Sequence, residues 1–147
     1  MAEYVVADTS VISRLTKVSK DCTAYQQMLG ARRLAVSFQT PPELLGAQFV
    51  PQRQKRVNDL LAVTLKLPHA ESTDVWYARV AEKRKDLKRR GQAGRDASDA
   101  DVWVISSALE HRLPLMSHDT QQVSLGRAAG LRVLTNLARL QDDNPKL

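Results

Sequence analysis

The chain has a single cysteine, Cys22, in 147 residues. A lone thiol can form neither an internal disulfide nor a cysteine-type zinc cluster, so Cys22 reads as a reduced structural residue. Aromatic residues make up 5% of the chain against 43% hydrophobic residues in all, so the core has to be built from aliphatic side chains. No apolar run approaches the roughly 20 residues that cross a bilayer. Met1-Ala2-Glu3-Tyr4 carries no basic stretch followed by an apolar core, so the expected setting is the cytoplasm, with no membrane partner. The six glycines and six prolines are scattered, and neither a GxxxxGK loop nor a GxGxxG loop occurs. That argues against phosphate-loop and dinucleotide-binding enzymes. Ser10, Ser37 and Ser117 lack a nucleophile-elbow context. His69, His111 and His118 have no metal-ligand spacing and read as surface or supporting residues.

Lysine and arginine number 22 against 16 aspartate and glutamate, a net charge of +6. This is the sign expected of a surface that meets phosphate, although many basic domains touch no nucleic acid. Lys83, Arg84, Lys85, Lys88, Arg89 and Arg90 form a dense basic stretch continued by Arg95. It reads either as a solvated helix face or as a track for an RNA backbone, whose binding would weaken steeply with salt.

Strand-like and helix-like segments alternate along the chain. Tyr4-Val5-Val6-Ala7 is a β-prone run that ends at Asp8-Thr9-Ser10, after which Val11, Ile12 and Leu15 have helical spacing. Leu34 to Phe38 repeats the pattern and leads through Thr40-Pro41-Pro42-Glu43 to Leu44, Leu45, Ala47 and Phe49. Further helices are expected over Gln52–Leu61, from Ser72 to about Arg90, over Ser98–His111 and over Thr120–Ala129; further strands are expected over Ala62–Leu67, Leu113–Ser117 and Leu131–Leu134. The eight uncharged residues Val102 to Leu109 imply a largely buried helix, with Trp103 in the core. Trp76 and Tyr77, at helical spacing with Val75 and Val80, read as core too. This alternation predicts an α/β fold with a parallel sheet covered on both faces.

Four acids share one position in that scheme. Asp8 and Asp119 follow strands, Glu43 opens the helix after the second strand, and Asp101 opens the buried helix. Each can be a helix cap: Thr40-x-x-Glu43 and Ser98-x-x-Asp101 fit the capping box, and Asp119-x-x-Gln122 is a looser version. An acid there gains about 0.3–1 kcal/mol from the helix dipole. Taken together they mean more, because the carboxyl ends of parallel strands lie along one edge, where such folds place their ligands. Two carboxylates about 4 Å apart repel by roughly 4 kcal/mol at an effective dielectric near 20. A divalent cation is the simplest counter-charge, and an all-oxygen donor set favours Mg2+ or Mn2+ over zinc. Asp99 and Asp96, close by, read as a first-turn residue and a loop residue.

Asp8-Thr9-Ser10, Pro42-Glu43-Leu44, Asp101-Val102-Trp103-Val104 and Leu113-Pro114-Leu115-Met116-Ser117-His118-Asp119 occur in the order and spacing of a PIN-domain ribonuclease. The chain resembles the VapC-type toxins of toxin–antitoxin pairs from Tyr4 to about Thr135. It departs from their usual pair of alanines at Ile105 and Ser106, a change that touches packing. The resemblance implies a PIN-like three-layer α/β/α fold with a central, mostly parallel sheet, a single nuclease domain over residues 1–140 and a polar tail over 141–147. It also implies metal-binding acids at Asp8, Glu43, Asp101 and Asp119, with Ser10 or Thr9 orienting the pocket. The implied activity is endoribonuclease cleavage of RNA with Mg2+ or Mn2+, and the implied partners are an antitoxin protein and a second copy of the chain. The competing expectation is a non-catalytic RNA- or protein-binding module whose acids serve only as caps. A phosphotransferase using Asp8 as nucleophile is disfavoured, because Ser10 stands where haloacid-dehalogenase-like enzymes keep an acid.

Overall fold

The computed structural model describes residues 3–147. Its five strands are β1 (Tyr4–Ala7), β2 (Arg33–Ser37), β3 (Leu65–Leu67), β4 (Leu115–Met116) and β5 (Val133–Leu134). They form one sheet in the order β3-β2-β1-β4-β5, and every pairing among the described residues is parallel. Val5 pairs with Leu34, Val6 with both Ala35 and Leu115, and Ala7 with Met116.

The period-2 rule divides these strands between two cores. Val5, Ala7, Leu34, Val36, Met116 and Leu134 face α1 (Thr9–Leu15), α2 (Lys20–Leu29), α3 (Thr40–Gly46) and α4 (Pro51–Ala62), where Ile12, Tyr25, Leu44 and Val57 are fully buried. Val6, Ala35, Leu115 and Val133 face α5 (Glu71–Arg90), α6 (Asp99–Glu110) and α7 (Thr120–Ala128), which bring Val80, Leu87, Val102, Ile105 and Val123. The result is the three-layer α/β/α architecture expected of the sequence, with the central sheet covered by helices on both faces.

Several local expectations are corrected. The helix α2 was not foreseen; it starts on the Ser19 hydroxyl, which accepts from Cys22 N. The helix expected to continue to Phe49 stops at Gly46, and the strand expected from Ala62 is only Leu65–Leu67, because α4 runs on to Ala62. Thr40 is not a cap: α3 follows Gln39, which makes no side-chain cap bond, and Thr40 lies buried inside the helix. Trp103 is partly exposed rather than core. Its ring packs against Phe38, His69 and Tyr77 at centroid distances of 5.4, 5.5 and 4.1 Å. Val75 is exposed, and Trp76 lies under the Arg79 guanidinium.

The C-terminal segment is fastened to the sheet. The Asn144 amide accepts from Thr135 N and donates to Thr135 O, and Arg127 donates to Asn144 Oδ1, to Val133 O and to Leu140 O. Among the described residues no helix is long and apolar enough to cross a membrane.

The loop between α5 and α6 sets where Asp101 begins its helix. Gly91 closes α5 at φ +62°, and Gly94 follows at φ +98°, where a Cβ would stand 2.7 Å from the Leu125 backbone nitrogen in α7. Gly91→Ala should cost the roughly 1–2 kcal/mol of a left-handed alanine. Gly94→Ala should cost clearly more, since it also forces α7 away. Chemical denaturation of the two variants checks this, and equal losses would contradict it.

Candidate active site

The order of the sheet reverses at the boundary between β1 and β4. The crevice at such a switch point, outside the carboxyl ends of the strands, is where open α/β sheets bind ligands. Here it is a cleft of about 310 Å³ lined by Asp8, Glu43, Asp101 and Asp119 together with Thr9, Ser10, Ser13, Arg14, Ala100, Val104 and Gln122. All four acids picked out in the sequence thus share one cavity, although they come from the N-caps of α1 and α7 and the first turns of α3 and α6.

Asp8 is the deepest, only 4% exposed. Its Oδ1 accepts from Ser10 Oγ at 2.6 Å and from Val11 N at 2.9 Å, which makes it the cap of α1; its Oδ2 accepts from Ser117 Oγ at 2.7 Å. Burial pushes the Asp8 carboxyl up to about 6, the three hydrogen bonds offset part of that, and the charge of Asp101 adds to it. Ser117 also accepts from Asp119 N, and Ser10 accepts from His118 N, so two hydroxyls tie the ends of β1 and β4 together.

Asp101 closes the expected capping box: Ser98 N donates to its Oδ2 and its own N–H donates to Ser98 Oγ. Its carboxyl is also raised, first by burial and then by Asp119 and Glu43, with the Ser98 bonds opposing. Asp119 caps α7 through Gln122 N, and Thr9 Oγ1 donates to Glu43 Oε2 at 2.9 Å. Asp99 stands apart, 77% exposed and paired with Arg84 at 2.9 Å. His118 lies outside the cavity lining, with Nδ1 2.6 Å from the Tyr25 hydroxyl.

Two contributors escaped the sequence reading. Gln122, 1% exposed, donates from Nε2 to Asp101 Oδ1 at 3.3 Å, while its Oε1 is buried with no hydrogen-bond partner. Its only sequence signal is its position three residues after Asp119. Tyr25, the sole buried residue of the unforeseen α2, lies 3.2 Å from Ser117 O and accepts from Asn136 N. It braces the turn that carries Asp119 from below.

The donor set fits a hard divalent cation. Every donor is oxygen, four carboxylates face Arg14 as the single cationic lining residue, and the orphaned Gln122 Oε1 is a neutral acceptor at the same place. Among the described residues, no three His, Cys, Asp or Glu side chains already stand in a coordinating cluster. Three of the four carboxylates are engaged as caps, as their sequence positions allow.

The basic stretch of α5 is partly neutralised from within. Asp86 takes Lys83, Arg89 and Arg90, and Arg84 is turned to Asp99 and Ala97 O. Lys85 and Lys88 line a separate cleft with Arg84 and Arg95.

A three-layer α/β/α sheet with a carboxylate-lined crevice at its switch point defines a PIN-like fold, and comparison with solved structures agrees. No protein-family model and no curated protein matches the chain. A chain in the structure of VapBC-1 from nontypeable Haemophilus influenzae superposes with a TM-score of 0.64 at 24% identity, covering 90% of this chain and 97% of that one. For VapBC2 from Rickettsia felis, bound to a DNA fragment from its promoter, the TM-score is 0.66 at 14% identity, over 90% and 98%. For VapBC-5 from Mycobacterium tuberculosis, a member of the VapBC family of toxin–antitoxin systems, it is 0.60 at 24% identity, over 90% and 97%. The chain has the PIN-like fold of these proteins.

The raised Asp8 carboxyl carries a stability prediction. Its value is about 6 folded against 3.8 unfolded, so above pH 6 the folded state bears the full cost of the buried charge. That cost, about 3 kcal/mol, is relieved as pH falls toward 4. In chelator near neutral pH, Asp8→Asn should therefore be more stable than the parent by about 1–3 kcal/mol, and the gain should vanish near pH 4. Thermal denaturation across pH reads this directly. A loss of stability at neutral pH would mean that Asp8 is a cap and nothing more.

Proposed function

We propose that this chain is a metal-dependent endoribonuclease that hydrolyses RNA phosphodiester bonds, and that it is the toxin of a toxin–antitoxin pair. The observation that carries the first part is the buried Asp8 sharing a cavity with Asp101, Glu43 and Asp119 at the sheet's switch point. The cost of such a cluster is explained by a cation that it binds; Asp8, Asp101, Glu43 and Asp119 would hold Mg2+ or Mn2+. When bound, the ion supplies a water activated for attack and neutralises charge on the leaving oxygen.

The chain's own residues do the positioning. Ser10 and Ser117 each fix one oxygen of Asp8, so that carboxylate cannot swing away. Thr9 steadies Glu43, and Gln122 steadies Asp101. Arg14, the cation in the lining, is set to meet a phosphoryl oxygen that four carboxylates would otherwise repel. The chain's net charge of +6, carried outside this acidic cleft, draws the polyanion in.

The second part rests on the likeness to VapBC structures, one of which is described as a member of the VapBC family of toxin–antitoxin systems. By that analogy the partner is an antitoxin protein that neutralises the nuclease.

One observation favours a different reading. Asp8, Asp101 and Asp119 do accept the backbone N–H groups of helix starts, which is all that a non-catalytic binding module would require of them. The two readings part on activity. Purified protein incubated with total cellular RNA and Mg2+ or Mn2+ should give discrete cuts, mapped as new 5′ ends, that disappear with chelator. Asp8→Asn and Asp101→Asn should reduce them at least about a hundredfold while remaining folded. Intact RNA together with no metal binding would favour the binding module.

A further inference from the structure

Beside the acidic cleft lies a second one, of about 280 Å³, lined by Ser13, Arg14, Lys17, Ser19, Asp21 and Arg53. The two clefts share Ser13 and Arg14, so they are continuous along α1: the N-terminal end of that helix borders the acids and its C-terminal end borders the bases. Three cations and one carboxylate line the second cleft. The carboxylate, Asp21, is already engaged, with Oδ1 accepting from Asn136 Nδ2 at 2.9 Å and Oδ2 lying 3.8 Å from Arg14 Nε. Among the described residues, neither Lys17 nor Arg53 stands within 4.0 Å of a carboxylate.

Arg53 is held in place rather than free. Its Nη2 donates to Ser13 O at 2.8 Å and to Ser13 Oγ at 2.7 Å, and its guanidinium carbon lies 4.7 Å from the centroid of the Phe49 ring. Its Nε is buried with no hydrogen-bond partner, and the Arg14 Nε, ion-paired with Asp21 at 3.8 Å, makes no hydrogen bond either. A guanidinium fixed through one nitrogen and stacked on a ring has given up its conformational freedom before any ligand arrives, with donors left for an oxyanion. Those contacts position Arg53, but no described carboxylate neutralises it or Lys17. The α5 cleft is the weaker candidate, because two of its four cations are paired with Asp99 and Asp96 and it shares no lining residue with the acidic cavity.

We propose that the Arg14–Lys17–Arg53 cleft is a subsite for a backbone phosphate of single-stranded RNA, adjoining the linkage to be cut. The proposal rests on the ribonuclease reading above and adds where the strand is gripped. Arg53 and Lys17 hold the phosphate, and Arg14 lies at the junction where the strand passes into the acidic cavity. Binding there offsets the repulsion of the strand by four carboxylates.

The test is fluorescence anisotropy of a short, fully 2′-O-methylated RNA with full-length protein in chelator, over a range of salt, for the parent, Lys17→Gln, Arg53→Gln and the double variant. Circular dichroism melts confirm folding, and calorimetry with Mn2+ reports the acidic site separately. The expected result is a tenfold or greater weakening by the double variant and a fall in the salt slope of about 0.7, the share of one neutralised phosphate on a single strand, with Mn2+ affinity unchanged. Unchanged RNA affinity and slope in folded variants, where the parent binds and cuts RNA, would overturn the subsite and leave the nuclease standing. A parent protein that neither binds nor cuts RNA would overturn both.

Discussion

A carboxylate buried at the end of the central strand governs the design of this protein. Asp8 leaves β1 where the sheet order reverses, and its two oxygens collect three donors: the hydroxyl of Ser10, the first turn of α1 and the hydroxyl of Ser117 beyond β4. Through those bonds it joins two adjacent strand ends, reinforcing the Val6–Leu115 and Ala7–Met116 pairings and the bond from His118 N to Ser10 Oγ. Its hydrogen bonds do not fully repay the loss of water, and burial leaves it with a proton affinity well above that of a free aspartate. A site that holds such strain near neutral pH is a functional candidate, because a bound cation removes the cost that the fold alone leaves in place.

The rest of the molecule supports that arrangement. Strands of two to five residues suffice because both faces of the sheet are covered, and alternate residues of each strand serve opposite cores. Helices α1, α6 and α7 enter with their N-termini toward the same edge, so Asp8, Asp101 and Asp119 can cap and also line the cleft. Capping and cation binding are thus compatible uses of one carboxylate: the cap occupies one lone pair and sets the side-chain direction, and further acceptor capacity remains.

Much of the fold was legible in the sequence because its signals are local. The run Tyr4–Ala7, the uncharged helix from Val102 and the Ser98-x-x-Asp101 box each state their own conformation, and all appear as expected. What stayed hidden depends on partners far along the chain. The helix α2 buries only Tyr25, so it shows no apolar stripe, and the value of that tyrosine comes from Ser117, His118 and Asn136, some ninety or more positions away. Thr40 satisfies a capping pattern, but α3 begins at Thr40 itself and leaves it inside the helix. Trp103 lies in an apolar run but on a side of α6 that meets other rings at the surface. The four acids could be named from spacing alone; that Gln122 and Arg14 stand among them could not, since Arg14 follows no motif and Gln122 reads only as a capping partner of Asp119, whereas its side chain turns to Asp101.

The central claim is that the four carboxylates are a cation site and not merely four caps. Isothermal titration of the full-length protein with Mn2+, beside Asp8→Asn and Asp101→Asn, tests it most directly. The account predicts saturable binding by the parent protein, a rise in its melting temperature with Mn2+, and loss of both in either variant. A parent protein that binds no Mn2+, or variants that bind it as the parent does, would contradict it.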